Sequence, residues 1–589
     1  MRWRRRGFAA LVVTSSAGLF WLMARTLLAS GPDPLGIAML GLFALTLPWT
    51  TIGFWNAVIG FSLMQFSRDA ASVVAPDLHL GGGDDPIVSS TALLICIRNE
   101  DTQLIRRNLE WMLDALVATG QANCFHLYIL SDSNQPEIAA AEVQAAAALS
   151  QRFGSALEIT YRQREHSEGF KAGNLREFCG RWGHRHAFAI VLDADSLMTP
   201  QSMLRLVRIM QRCPQIGIVQ TLVTGLPSAS PFARIFQFGM RLGMRSYTLG
   251  SAFWQGDCGP YWGHNAILRM APFIAHCELP MLPGSPPLGG HILSHDQVEA
   301  VLMRRAGFEA RVLPIEEGSW EENPPTLPEF IRRDLRWCQG NMQYFKLLGL
   351  PGLLPVSRCQ LLLAIAMYLG SLAWLSLIVL GLLRQVPIRT DSGLVLFGVI
   401  MIMSFAPKIA TLADVLLRPG VRAAYGGGLR IAGSALLEIV LTLLVAPISA
   451  VAVSLFILGL PFGRRVGWTS QQRQAHGLPL SDAVRCLWPQ TLLGLGLAAG
   501  TWYAPAVSLW FTLPVIAGLL LSVPLAMLSA SPRLGRKMAR SGLCRTPEEA
   551  WPQFALGAAG SAVLTPHGAV ASPASLFAGR ADPSMGSRP

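Results

Sequence analysis

The stretch AFAIVLDADSLM at residues 187–198 decides the fold of this chain, because an apolar run ends there in two acids, Asp193 and Asp195. A continuous apolar run of this length is typical of a strand buried on both faces of a mostly parallel sheet. Ligands of such sheets bind at the carboxyl ends of the strands. Two neighbouring carboxylates repel each other unless a cation neutralises them. The pair therefore predicts a cation-assisted site, although an ordinary polar turn also accommodates two aspartates.

Further short apolar runs alternate with helical patterns across the middle of the chain. They predict strands at residues 91–98, 125–132, 157–163, 187–195 and 216–223. Strand and helix in alternation predict an α/β domain with a mostly parallel sheet, covered by helices on both faces. Asp132 ends the second of these strands, so it is expected at the same edge of the sheet as the acid pair.

The composition places this α/β domain in a membrane protein. Of the 589 residues, 51% are hydrophobic and 14% are charged, which is too apolar for an ordinary soluble protein. The net charge of +12 fits the excess of Lys and Arg that membrane proteins carry on cytoplasmic segments. No basic patch is interleaved with aromatic residues, so the charge gives little support to nucleic acid as a partner.

Apolar segments long enough to span a lipid bilayer lie on both sides of the α/β region. They cover residues 7–23, 35–66, 361–383, 393–417, 431–462 and 492–528. Residues 492–528 can form two helices that turn near residues 503–505, whereas two full helices hardly fit in residues 431–462. The predicted number of spans is eight. The basic segments around residues 425 and 470 are both expected in the cytoplasm. Residues 431–462 must then form a tight hairpin at Pro447, or contain a re-entrant or interfacial helix.

Orientation and domain limits follow from the charges. Four arginines within the first six residues predict a cytoplasmic N-terminus and a membrane helix rather than a cleaved signal. The predicted domains are two transmembrane helices at 1–66, a cytosolic domain with a terminal interfacial helix at 67–350, a transmembrane region at 351–530 and a disordered cytosolic tail at 531–589. The ten cysteines include no C-x-x-C pair, which suits a reducing compartment.

Other polar motifs fall into the same domain, and each has a structural alternative. Lys171 and Asn174 in HSEGFKAGN open a predicted helix, where backbone amides can meet an anion. The turn before Asp296 can be an ordinary helix cap, and Arg336–Trp337 can belong to an interfacial helix. Phosphate loops of the P-loop or dinucleotide type are absent from the sequence. Acids that bind Mg²⁺ or Mn²⁺ together with a nucleotide diphosphate remain the best interpretation.

Taken in chain order, these motifs resemble those of the processive family-2 inverting glycosyltransferases, the group of cellulose and hyaluronan synthases. The resemblance is carried by YILSDS, KAGN, DADS, GHNAI, LSHD and RWCQGN and covers about residues 45–530. It points in particular to the synthases of osmoregulated periplasmic glucans. It implies a GT-A-like domain in the cytosol, transfer of glucose from UDP-glucose to a growing glucan, and extrusion of a β-1,2-linked product through the bacterial inner membrane.

The resemblance also implies roles for the residues at the strand ends. Asp132 and Lys171 would hold the uridine end of the donor, with Asn174 in the same nucleotide site. Asp193 and Asp195 would serve the nucleotide and the metal, Mg²⁺ or Mn²⁺, with Asp195 as the more direct ligand.

The remaining roles belong to the second half of the domain. Asp296 would be the catalytic base, and Arg336 and Trp337 would bind the diphosphate and the acceptor sugar. The broader family has a glutamine at the position of Arg333, so the acceptor contacts there are expected to differ. Residues 467–473, GWTSQQR, are similar to the gating loop of cellulose synthases.

Three alternatives stay open from the sequence. The first is another family-2 synthase that makes a cellulose-like or amino-sugar polymer. The second is a transporter with a domain that senses nucleotide sugars without turning them over. The third, a nucleic-acid-binding membrane protein, rests on net charge alone. The resemblance makes a periplasmic glucan-processing protein a possible partner beside the lipid bilayer.

Overall fold

The computed structural model describes most of the chain, from an apolar helical pair at the N-terminus to a short segment near residue 550. The residues described are 1–76, 81–83, 85–384, 386, 388–467, 473–501, 506–550, 554–556 and 562–564. The chain opens with three helices, α1 at Arg2–Leu27, α2 at Pro34–Phe66 and α3 at Ala70–Val74. Asp33 caps α2 by accepting a hydrogen bond from Gly36, and Pro34 occupies the first turn, as helix starts favour.

The α/β region follows. Its strands are β1 Thr91–Ile97, β2 Phe125–Ser131, β3 Glu158–Gln163, β4 Phe188–Asp193, β5 Leu197–Met198, β6 Ile216–Thr221, β7 Thr224–Gly225, β8 Ala266–Arg269, β9 Glu309–Leu313 and β10 Ser319–Glu321. Its helices are α4 Thr102–Val117, α5 Pro136–Phe153, α6 Phe170–Arg181, α7 Pro200–Arg212, α8 Pro231–Gln255, α9 Met270–His276, α10 His295–Arg305 and α11 Leu327–Gln343. All five predicted strands are present.

Seven of these strands form one sheet in the order β3-β2-β1-β4-β8-β6-β9. All neighbouring pairs are parallel except the two that involve β8, so the predicted mostly parallel sheet is confirmed. The register sets Cys96 of β1 beside Asp193 of β4 and Ile97 beside Ser131 of β2. The ends of β1, β2 and β4 therefore meet at one edge of the sheet.

Helices cover both faces of this sheet, as the apolar strands require. On one face Leu93, Leu127 and Ile190 pack against α4, α5 and α7, and on the other Leu94 and Val191 pack towards α6 and α10. All five side chains are at most 2% exposed. Burial of each such aliphatic side chain contributes about 1.5–3 kcal/mol, so the sheet is a rigid support for the loops at its edge.

The C-terminal part is again helical. Its helices are α12 Pro355–Leu383, α13 Thr390–Leu417, α14 Pro419–Ala424, α15 Gly428–Gly459, α16 Leu480–Thr501, α17 Ala506–Leu520, α18 Ser522–Ser529 and α19 Pro532–Ser541, followed by the strands β11 Phe554–Leu556 and β12 Ala562–Leu564. In the described residues, α1, α2, α12, α13 and α15 are long and apolar enough to cross a membrane. A bent pair formed by the end of α17 and α18 makes a sixth candidate.

This number is smaller than the eight predicted spans for two reasons: residues 431–462 do not form a hairpin, and α16 is not among the candidate spans. Helix α15 continues through Pro447 without a break. Both its ends nevertheless lie beside elements of the α/β region. Ile431 packs with Ile235 of α8, and the backbone of Val466, just past the helix, donates to Gln339 of α11 at 2.9 Å. The predicted turn at residues 503–505 lies outside the described residues.

Helix α8 joins the α/β region to the apolar helices. It crosses α2 so closely that a β-carbon at Gly60 would overlap the carbonyl of Ser246, and one at Gly250 would overlap the backbone of Asn56. Glycine is required at both points because any side chain would separate the two backbones. The sheet edge and the apolar helices are thereby held in fixed contact.

Two further contacts show which end of the apolar helices lies next to the α/β region. Arg5, near the start of α1, donates to the carbonyl of Gln255 at 2.7 Å and pairs with Asp257. At the opposite end of the helices, Arg384 pairs with Asp33 at 2.6 Å. The arginine-rich start of the chain and the α/β region therefore lie on the same side.

Residues 532–550 are ordered, whereas composition predicts a disordered tail from residue 531. Residues 532–541 form α19, and the following Glu548 and Glu549 are tied to α8. Glu548 pairs with Arg241, and Glu549 accepts two hydrogen bonds of 3.0 Å from Arg234. Buried arginines need carboxylate partners of this kind. Glu548 and Glu549 supply them, although the sequence around them is rich in small and polar residues.

Candidate functional site

One cavity of about 480 Å³ opens at the edge where β1, β2 and β4 end. Every residue predicted for the site lines it: Asp132, Lys171, Asn174, Asp193, Asp195, Asp296, Arg336 and Trp337. His264 lines it as well. The prediction that these motifs converge is therefore confirmed in geometry, while their roles in binding and catalysis stay predictions.

The strand that opened the sequence analysis ends in a tight turn. The backbone N–H of Asp193 donates to the hydroxyl of Ser196 at 2.9 Å, and the N–H of Ser196 donates to the Asp193 carbonyl at 3.0 Å. This turn directs Asp193 towards Lys171 of α6, with which it forms an ion pair. Lys171 also donates to the carbonyl of Gly263 at 2.7 Å.

The ion pair sets the charges of both partners. Burial alone would raise the pKa of Asp193, but the Lys171 ammonium and, less strongly, His264 hold that pKa at about 2. Burial alone would lower the pKa of Lys171, and the Asp193 carboxylate outweighs it and raises that pKa. Asp193 and Lys171 are therefore both charged at neutral pH and compensate each other.

Asp195 has a different partner. Its Oδ1 lies 2.9 Å from Nη1 of Arg473, and the same guanidinium lies 3.7 Å from Glu100 after β1. Burial raises the pKa of Glu100 to about 7, against the opposing effect of Arg473. Arg473 ends the segment that resembles a gating loop, whose residues 468–472 lie outside the described residues. The two acids of the D-x-D motif are thus each neutralised by a different side-chain cation.

Asp132 is held by an arginine that the sequence analysis did not consider. Arg164, just after β3, donates from Nε and Nη2 to the two carboxylate oxygens of Asp132, both at 2.6 Å. On either side of Asp132, the hydroxyls of Ser131 and Ser133 donate to the buried Glu142 at 2.6 Å. The end of β2 is therefore fixed on both sides. The sequence signal that could have identified Arg164 is its position, as a charged residue directly after the neighbouring strand β3.

Asn174 uses its amide inside the fold. Its Oδ1 accepts from Arg162 at 2.6 Å and its Nδ2 donates to the carbonyl of Leu130 at 3.0 Å. The side chain is 1% exposed. These contacts tie α6 to β2, which positions Lys171; a direct contact of Asn174 with a nucleotide stays a prediction.

Asp296 lies in the first turn of α10, opposite Gly263. A β-carbon at Gly263, whose φ is +82°, would lie 3.3 Å from Cβ of Asp296. Helix α11 holds the turn before it, because Tyr344 donates to the carbonyl of Ser294 at 2.8 Å and Gln343 accepts from the N–H of Leu293 at 2.9 Å. Asp296 therefore lies between Gly263, whose carbonyl accepts a hydrogen bond from Lys171, and α11, the helix that carries Arg336.

The far wall of the cavity is formed by α11. Trp337 is 50% exposed, and the guanidinium of Arg333 lies 4.9 Å from its ring centre. Burial and the neighbouring Arg333 lower the pKa of Arg336 to about 10, with Glu100 acting in the opposite direction. Arg333 and Glu321 line the same cavity. This wall offers an aromatic face and two cations.

Comparison with known proteins assigns this arrangement to a family. Residues 188–412, which contain the D-x-D pair, Asp296, Arg336 and Trp337, match the family model described as glycosyl transferase family group 2. The protein named glucans biosynthesis glucosyltransferase H from Ralstonia nicotianae is 36% identical over 573 residues, which cover 93% of this chain and 66% of that protein. The chain belongs to the family-2 glycosyltransferases.

Proteins of the same name from other bacteria are similar to the same extent. The one from Pectobacterium carotovorum is 35% identical over 92% of this chain and 66% of its own length. The one from Pseudomonas aeruginosa is 35% identical over 88% and 62%. This family-2 chain thus spans about two thirds of the length of the curated relatives it matches.

A solved structure is also similar to the chain. It is the mannosyltransferase PcManGT from Pyrobaculum calidifontis in complex with GDP-Man and Mn²⁺, with 12% identity and a TM-score of 0.37. The similarity covers 61% of this chain and 98% of that one.

Proposed function

We propose that this protein is a membrane glucosyltransferase that polymerises glucose from UDP-glucose into a β-1,2-linked glucan and passes the product across the membrane. The observation that carries the proposal is the convergence of the D-x-D acids, Asp296 and the Arg336–Trp337 pair on one cavity beside apolar helices. Relatives named glucans biosynthesis glucosyltransferase H support glucose as the sugar and a glucan as the product.

The donor would bind along the edge of the sheet. Asp132, held rigid by Arg164, would accept hydrogen bonds from the uracil ring or ribose. Lys171 would hold the same uridine end, and Arg336 would face the diphosphate, where its charge stabilises the negative charge that develops on the leaving UDP. Glucose would then extend towards Asp296.

The residues present fit a divalent cation. Asp195 offers hard carboxylate oxygens in the cavity, which Mg²⁺ and Mn²⁺ prefer together with a diphosphate. Among the described residues no group of three or more His, Cys, Asp or Glu is arranged as a metal site. Asp195, with Asp193 close by, would hold the cation once Arg473 has left the carboxylate. When bound, the cation would supply electrostatic stabilisation of the diphosphate.

Transfer would invert the anomeric centre. Asp296 would remove the proton from the attacking hydroxyl of the acceptor, whose oxygen forms the new bond to C1 while the bond from C1 to the diphosphate breaks. A positioned base of this kind contributes about 10²–10⁴-fold to the rate. The exposed face of Trp337 would stack on the acceptor sugar, and Arg333 on the same helix would hold the indole in place.

The orientation in the membrane follows from the charges. The arginine-rich start of α1 lies on the side of the catalytic cavity, and such segments stay in the cytoplasm. We therefore place the catalytic domain in the cytoplasm of a bacterial cell and the protein in its inner membrane. Reporter fusions after residue 425 would report a cytoplasmic position; a periplasmic signal there contradicts this orientation.

The decisive experiment uses the purified full chain in lipid nanodiscs with radiolabelled UDP-glucose and Mg²⁺. We expect incorporation of glucose into a polymer whose linkage analysis gives 2-substituted glucose. A polymer of another linkage identifies a different family-2 synthase. Binding of UDP-glucose without release of UDP contradicts the enzyme assignment and favours a nucleotide-sugar sensor.

A further inference from the structure

A buried ion pair stands directly beside the proposed base. Nδ1 of His295, the residue before Asp296, lies 3.0 Å from Oε1 of Glu299, one turn further along α10. The two side chains are only 8% and 4% exposed. The ring of His295 also lines the catalytic cavity. Nδ1 is buried at ion-pair distance from Glu299 and makes no hydrogen bond within the described residues, so Nε2 is the ring nitrogen that remains for a ligand.

The surroundings of this pair favour a charged imidazole. Burial alone would lower the pKa of His295, but the Glu299 carboxylate outweighs burial and raises that pKa above its usual value. A protonated ring has N–H donors at both nitrogens. His295 would therefore present a charged hydrogen-bond donor to the cavity, held in one orientation by Glu299.

The polar groups behind the pair are not all satisfied within the fold. Among the described residues, Nδ1 of His295, Oε2 of Glu299 and the hydroxyl of Tyr261 are buried and have no hydrogen-bond partner. Tyr261 itself is fully buried. Unpaired buried polar groups cost free energy and are retained mainly where a site needs them. A purely structural role for the cluster would more simply be filled by apolar side chains.

The chemistry decides which substrate the donor faces. Inversion requires the base and the leaving diphosphate to lie on opposite faces of the anomeric carbon. The acceptor sugar must therefore lie on the side of Asp296, and His295, which lines the same cavity at the start of α10, is close to that side. A charged N–H beside the base can hold one hydroxyl of the acceptor while a neighbouring hydroxyl is deprotonated.

We propose that His295 binds the acceptor sugar by donating from Nε2 to the hydroxyl next to the attacking one, and that Glu299 positions the ring for this contact. The inference rests on the proposed function and adds a determinant of linkage to it. Asp296 takes the proton of the attacking hydroxyl, and UDP leaves with the electron pair of the broken bond. His295 keeps its proton throughout and selects which hydroxyl reaches Asp296.

The test compares His295→Ala and Glu299→Gln with the wild-type full chain in nanodiscs, supplied with radiolabelled UDP-glucose and Mg²⁺. Incorporated glucose, free glucose from hydrolysis, the Kd for UDP-glucose and the linkage of the product are measured. Loss of a charge-assisted hydrogen bond lowers transfer by about 10–100-fold. We expect this loss of transfer in His295→Ala and a smaller loss in Glu299→Gln. In both variants the Kd for UDP-glucose should stay within about 3-fold of wild type, while the fraction of glucose released by hydrolysis should increase and the product should contain mixed linkages.

His276→Ala, an exposed histidine outside the cavity, is the matched control and should behave as wild type. Should His295→Ala fail to fold, the isosteric Glu299→Gln carries the test alone. Wild-type incorporation and a single linkage in both variants would overturn the proposal, as would a parallel loss of UDP-glucose binding. A wild-type protein that incorporates no glucose contradicts the proposed function itself, and the proposal falls with it.

Discussion

Arg473 and Asp195 form an ion pair, with Nη1 of the arginine 2.9 Å from Oδ1 of the aspartate. Asp195 is the residue expected to hold a divalent cation, so a side chain of this protein occupies the position where that cation would bind. The guanidinium also lies near Glu100 and thus balances two acids at once. Cation binding at Asp195 must then compete with Arg473.

The first prediction concerns this competition. Arg473→Ala leaves Asp195 and Glu100 without a compensating charge, so Mn²⁺ should bind more tightly in the absence of nucleotide, by about 10-fold. Titration of the full chain with Mn²⁺, followed by electron paramagnetic resonance, measures this affinity. Arg464→Ala removes the same charge from an exposed residue outside the cavity lining and should have no effect. An unchanged Mn²⁺ affinity in Arg473→Ala would show that the ion pair does not oppose cation binding.

The second prediction separates binding from chemistry at Asp296. Asp296→Asn keeps the shape of the side chain but cannot accept the proton of the acceptor, so turnover of UDP-glucose should fall by at least about 10²-fold. The Kd for UDP-glucose should stay within about 3-fold of wild type. Isothermal titration and a UDP-release assay give the two quantities. Glu278→Gln, an exposed acid paired with Arg176, serves as the control; near-normal turnover in Asp296→Asn would refute its assignment as the base.

The sheet and the convergence of the motifs were predictable from the sequence, because both follow from local pattern. Apolar runs such as residues 187–192 identify buried strands, and parallel strands bring their carboxyl ends to one edge. Asp132 and Asp193 could therefore be placed together without a structure. The helices of the apolar regions were harder to predict from the sequence. Pro447 normally indicates a break, but here it lies inside a continuous helix that tertiary contacts maintain.

The partners of the site acids were not predictable, because they come from distant parts of the chain. Arg473 reaches Asp195 from 278 residues away in sequence, and no pattern of spacing encodes such a pair. The resemblance did single out the segment that ends in Arg473, but it gave no partner. Arg164 was missed although it directly follows a predicted neighbouring strand. Long-range ion pairs depend on the packing of elements, which local sequence leaves open.

The third prediction concerns Arg164. Its removal in Arg164→Gln leaves the carboxylate of Asp132 buried without its bidentate partner, which costs about 3–5 kcal/mol. Thermal unfolding of the full chain should show a clear decrease in Tm, and UDP-glucose should bind more weakly. Arg152 also contacts both carboxylate oxygens of an aspartate, Asp114, although from Nη2 alone, and it is 51% exposed. Arg152→Gln should cost at most about 1 kcal/mol, and equal effects of the two substitutions would contradict the role given to burial.

The fourth prediction concerns acid stability and rests on two histidines at the edge of the sheet opposite the cavity. His186 accepts or donates hydrogen bonds at 2.7 Å to Ser90 and 2.9 Å to Tyr128, and His126 stacks on Tyr128 with ring centres 3.9 Å apart. Burial, assisted by nearby positive charge, lowers the pKa of both histidines to about 4. Glu158 lies 3.1 Å from His126 but is 70% exposed, so solvent weakens its opposing effect.

Both histidines are therefore neutral in the folded protein and titrate near pH 6.5 when it unfolds. Their contribution to stability is complete above about pH 6.5 and is lost as the pH falls from there towards about 4, because the unfolded chain binds the extra protons. Each histidine should account for about 3 kcal/mol over this window. Thermal unfolding between pH 7.5 and 4.5 measures the effect; His126→Gln with His186→Gln should flatten the pH dependence, and exposed His184→Gln should not. A double variant as acid-sensitive as wild type would place the titrating groups elsewhere.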